Sequence, residues 1–124
     1  MKKILLLFTL MVSSSFIYAK GEIDMNKLQQ FQKEFDEEYF EINEGFEKLR
    51  HILLHLVKST GKMATYCEAK EHDRPDSDPS QVQEEVLADL LIHALQIANY
   101  FDIDLMKKYD ERIQFIKNRA MRKK

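Results

Sequence analysis

The chain has 124 residues, of which 44% are hydrophobic and 32% charged. That is enough for one domain, and it excludes both a disordered tail and a chain embedded in membrane throughout. Three Gly and two Pro are too few for the many tight turns of an all-β chain. One cysteine excludes an internal disulfide framework and a cysteine-based zinc site. The net charge of -2 hides an asymmetry: residues 22–47 carry nine acids against two lysines, and residues 107–124 carry eight bases against two acids. No nucleic-acid partner is expected from so mixed a balance.

Residues 1–19 read as a secretory leader. Lys2 and Lys3 start it, Ile4 to Val12 form an apolar run, and Ile17-Tyr18-Ala19 offers a small-residue cleavage site. The run is short for a transmembrane helix, which needs about 20 apolar residues, so no stable membrane span is expected, the alternative being an uncleaved anchor in which Phe16-Ile17-Tyr18 extends the run. Cleavage leaves 105 residues with a net charge of -4 and an exported or periplasmic protein. The alternative start, at Met25, makes the protein cytoplasmic. Cys67 suits either compartment.

Residues 20–124 are expected to form one all-α domain, an antiparallel bundle of about four helices. In residues 24–42, Met25, Leu28, Phe31, Phe35, Tyr39 and Ile42 recur three or four apart and make one apolar stripe. The second helix runs from about Phe46 to His72, where Leu49, Leu53, Leu56, Val57, Thr60, Ala64 and Cys67 follow a helical period, with the stripe drawn through Leu53, Val57, Thr60, Ala64 and Cys67. Residues 73–79 hold both prolines and read as a loop. Ser80 is expected to cap the third helix, with Gln83 at the capping-box position and Glu84 and Glu85 in the first turn. Asp104 is expected to cap the fourth, which carries Leu105, Tyr109, Ile113, Ile116 and Ala120. A core this small predicts a homo-oligomer that covers the remaining apolar surface.

Glu68 and Glu71 continue the stripe of the second helix, where charges rarely lie without a partner or an ion. The plain reading is that the helix emerges from the core there. The third helix aligns Glu85, Asp89, His93 and Gln96 on one line. A short loop makes the two helices antiparallel, so Glu68 and Glu71 are expected near Glu85 and Asp89. Four carboxylates at one place need a cation, and Mg²⁺ takes such oxygen ligands together with substrate phosphates. The competing reading is two solvated acidic helix ends.

From Glu84-Glu85-Val86-Leu87-Ala88-Asp89 through Ala98-Asn99 to Ile103-Asp104-Leu105, the chain resembles the MazG-like, all-α nucleoside triphosphate pyrophosphohydrolases. Upstream, Lys58-Ser59-Thr60-Gly61-Lys62-Met63-Ala64 is similar to that family's first motif, and the likeness spans roughly residues 46–116. The resemblance implies Mg²⁺-dependent cleavage of a nucleoside triphosphate to monophosphate and pyrophosphate. By position it puts Asp89 in the catalytic role, with Glu85 one residue from the family's other acid, and His93 against the nucleotide. Glu68 and Glu71, taken from the helix geometry, would join Glu85 and Asp89 on the metal in place of the missing first-motif acids, or Lys58 and Lys62 would grip the substrate's phosphate directly. Two departures stand out: the family's glutamate before Asp89 falls on Val86, and its three first-motif acids fall on Lys58, Ser59 and Lys62. A non-catalytic, exported interaction protein that keeps the fold without the first metal motif is the alternative.

His51 and His55 have zinc-ligand spacing, but Ile52 stands where a metalloprotease carries its glutamate. They are expected to be exposed, opposite the stripe. Cys67 is expected in the core. Gly61 lies within a helical pattern, so no glycine loop cradles phosphate.

Overall fold

In a computed structural model, the structure describes residues 24–40, 44–75 and 77–122. The leader 1–19, its cleavage site and Ile42 lie outside the described residues. Four helices form, with no strand among the described residues: α1 (Met25–Tyr39), α2 (Phe46–Glu71), α3 (Leu87–Tyr100) and α4 (Leu105–Met121). A π-helical turn, Val82–Val86, runs straight into α3. No single described helix is long and apolar enough to cross a membrane. The chain divides into two compact units, one built on α1 and α4, the other spanning 41–100.

In the first unit, the carboxylate of Asp24 accepts the N–H groups of Asn26 and Lys27 and starts α1. The stripe of α1 forms as an aromatic ladder, with Phe31, Phe35 and Tyr39 at centroid spacings of 6.2 and 4.7 Å. Gln32 and Asp36 are buried beside it, hydrogen-bonded to each other at 2.8 Å. The side-chain amide of Gln29 donates to the Ile103 carbonyl and accepts the Leu105 N–H, which ties α1 to the start of α4. Asp104 accepts the N–H of Lys107 at 2.9 Å and caps α4 as its position predicts.

The second unit is a helical hairpin. Its α2 ends on Asp73, which takes φ 48°, and the Arg74 and Asp73 N–H groups return to the carbonyls of Ala69 and Lys70. This paired closure satisfies carbonyls that the helix end would otherwise orphan. Ser80 does not cap the following helix. Its hydroxyl and N–H both go to the Asp78 carboxylate, at 2.6 and 3.0 Å, and the Gln83 N–H goes to the Pro79 carbonyl. A carboxylate accepts more strongly than a hydroxyl, so Asp78 takes the donors and its own pKa falls.

The core of the hairpin is Ile52, Ala69, Val86, Leu95 and Ala98. Burying side chains such as Val86 and Leu95 contributes about 1.5–3 kcal/mol each. The stripe expected on α2 is out of phase with this core. Leu53 and Val57 are 41% and 66% exposed, and Thr60, Ala64 and Cys67 are exposed too. The buried and half-buried line runs instead through Ile52, Leu56, Ser59, Met63, Tyr66 and Ala69. Both lines have helical spacing, so what α2 packs against selects the phase.

Candidate functional site

The hairpin brings a polar line of α2 against a polar line of α3. Lys62 Nζ donates to Glu85 Oε2 at 2.8 Å. Ser59 Oγ donates to Asp89 Oδ2 at 3.1 Å. The His55 ring lies 6.2 Å from the His93 ring. The contacts step down α2 from 62 to 59 to 55 as they step up α3 from 85 to 89 to 93, so the helices are antiparallel, as a short connection requires.

Each participant is placed by local structure. The Leu87 N–H returns five residues to the Val82 carbonyl, which makes the wider π turn and carries Glu85. Asp89 and His93 follow at intervals of four, the helical spacing that keeps side chains on one face. Ser59 is buried and Lys62 half-buried on the matching face of α2. The hydrogen bond from Lys62, with its charge, holds the Glu85 carboxyl below the usual carboxylate range, and Glu85 in turn raises Lys62.

The four acids read from the sequence do not gather. Glu68 pairs with Arg74 at 3.3 Å, beyond the end of the polar line. Glu71 is exposed in the last turn of α2. The reason is the register: α2 meets Glu85 and Asp89 with Ser59 and Lys62, two turns before Glu68. Among the described residues, no three His, Cys, Asp or Glu side chains are grouped to hold a metal ion. The four-acid set expected for Mg²⁺ is therefore not gathered among the described residues. An ammonium stands against Glu85 and a hydroxyl against Asp89, where the family's pattern has acids.

His51 and His55 are exposed, as expected, but not turned away from the partner helix. Their rings lie 4.5 Å apart, and His55 faces His93 at the edge of the polar line. His93 is 9% exposed, with Nδ1 3.1 Å from Gln96 Oε1. Lys58 makes no ion pair with any described residue within 4.0 Å. Cys67 is exposed rather than in the core. A groove in the other unit, lined by Asn26, Asp104, Lys107, Asp110 and Glu111 among others, contains none of the expected site residues.

Comparison with known proteins returns no match: no family model, no curated protein and no solved structure resembles this chain closely enough to be paired with it. The reading of the site therefore rests on its residues.

Proposed function

We propose that the α2–α3 polar line binds the phosphate chain of a nucleoside triphosphate through the protein's own cations, as a divergent, MazG-like domain that works without bound Mg²⁺. The observation that carries this reading is the Lys62–Glu85 contact at 2.8 Å with Ser59–Asp89 one turn away. In that arrangement the carboxylates that would call for a metal already have donors. Lys58, one turn from Lys62 and with no ion pair among the described residues, supplies the cation for phosphate, with Lys62 and His93 beside it.

A second reading is Mg²⁺-dependent cleavage to monophosphate and pyrophosphate. It is favoured by Glu85 on the π turn and Asp89 in the first turn of α3, four residues apart and both turned toward α2. Titration calorimetry of the full chain with a panel of nucleoside triphosphates separates the two. Binding in EDTA as tight as in Mg²⁺, at least tenfold weaker in Lys58→Ala, with no pyrophosphate released, is the expected result. Binding that needs Mg²⁺, accompanied by pyrophosphate release, would establish the second reading instead.

The expected homo-oligomer and the exported interaction role remain proposals of their own. Exposed Phe46, Leu54, Val57, Leu87 and Leu91 are the apolar residues of the hairpin that a second copy would cover. Light scattering of the full chain gives the assembly mass, and the mass of the mature protein fixes its start and so its compartment.

A further inference from the structure

Three imidazoles meet at one end of the polar line. His51 and His55 are a turn apart on α2, with ring centroids at 4.5 Å, and the ring of His93 on α3 is 6.2 Å from that of His55. Lys58 is three residues along α2 from His55, on the same side of the helix. His93 Nδ1 lies 3.1 Å from the Gln96 side-chain oxygen, which holds the ring in place.

Protonating His55 with His51, His93 and Lys58 around it is opposed by like-charge repulsion, which an added anion would relieve. His55 is the ring in the middle. Its desolvation lowers its pKa most, followed by the charges of His51, His93 and Lys58, while Asp89 pulls the other way. His55 is therefore disposed toward its neutral form, and an anion placed beside it favours the protonated one. A terminal phosphate is such an anion.

We propose that His51, His55 and His93, with Lys58, form a proton-linked anion subsite that takes the terminal phosphate of a polyphosphate ligand. One proton moves from a solvent hydronium to the His55 ring nitrogen as the anion binds, exchanging an O–H for an N–H bond, and no bond of the phosphate chain breaks. The inference rests on the nucleotide-binding reading above and adds the two α2 histidines to it.

The test is a histidine titration of the full chain by NMR, following the ring C–H signals from pH 5 to 8.5. It is run alone, with saturating ATP, and with inorganic tripolyphosphate, which has no base or sugar. Both ligands are expected to raise the His55 midpoint by about one unit, equivalent to about tenfold tighter binding to the protonated protein. His55→Gln is expected to lose the tightening toward pH 5.5 that the ligand's own titration does not explain. ATP binding with an unmoved His55 midpoint would overturn the subsite and leave the nucleotide reading standing. A midpoint raised by ATP and not by tripolyphosphate would also overturn it. Failure of ATP to bind at any pH would remove both.

Discussion

Lys62 reaches from α2 across to Glu85 on the π turn before α3, 2.8 Å from nitrogen to oxygen. The contact joins residues 23 positions apart and marks the register of the hairpin. It is partly exposed on both sides, so its share of stability is modest and screened by salt. Its pH dependence has a definite sign. Glu85 is held below its ordinary value, so its contribution is present above the carboxylate range and is lost as pH falls through the folded pKa. Lys62 is raised, so its contribution is present below the ordinary lysine value and is lost as pH climbs through the folded one. Thermal melts of wild type and Glu85→Gln are expected to differ most between about pH 5 and 10 and to converge outside that window. A gap that widens in acid would contradict the pairing.

Lys62→Glu tests the claim that a fixed ammonium replaces a metal. The substitution removes the cation and places a third carboxylate beside Glu85 and Asp89. Such a set suits a hard divalent ion. Mn²⁺, read by electron paramagnetic resonance, is expected to bind this variant about tenfold more tightly than wild type or more. Wild-type protein that already holds Mn²⁺ as tightly would show that Lys62 does not occupy the cation's place.

Ser59 carries a different kind of contact. It is 4% exposed, and its hydroxyl is the donor seen for Asp89 Oδ2. Ser59→Ala leaves a half-buried carboxylate without that donor, which costs about 1–2 kcal/mol in a urea titration. Ser59→Thr, which keeps the hydroxyl, is expected to recover most of the loss. Equal losses in both variants would mean that packing, not the hydrogen bond, is at stake.

The helices were legible because their signals are local. Periodicity placed four helices, the acid at 104 caps α4 as expected, and the prolines marked the connection between α2 and α3. Glu85, Asp89 and His93 were legible as one line because four-residue spacing fixes a helical face. What faces that line was not. Ser59 and Lys62 matter through the pairing of two helices, which no single helix records. The phase of α2 failed for the same reason: Leu53, Val57 and Cys67 match a helical stripe as well as Ile52, Met63 and Ala69 do. A signal was present nonetheless. Lys62 and Ser59 lie a turn apart, as Glu85 and Asp89 do, and matching the two polar lines in antiparallel register would have found the pairing and turned Glu68 and Glu71 away from it.

That phase is open to a direct comparison of two positions two residues apart. Ala69 is 1% exposed and lies on the buried line of α2, while Cys67 is exposed on the line expected from sequence. Residues two apart on a helix face different directions, so one substitution at each position samples two sides of the same turn. Ala69→Leu inserts three carbons into a packed seam, and overpacking of this kind costs about 1–3 kcal/mol. Cys67→Ser changes only a solvated side chain and is expected to stay within about 0.5 kcal/mol of wild type. Urea unfolding of the full chain, followed by circular dichroism, reads both. The reverse order, a costly Cys67→Ser with a tolerated Ala69→Leu, would return the core of α2 to the stripe through Leu53 and Val57. It would also put Glu68 and Glu71 back on the packed face, and with them the case for a metal between the helices.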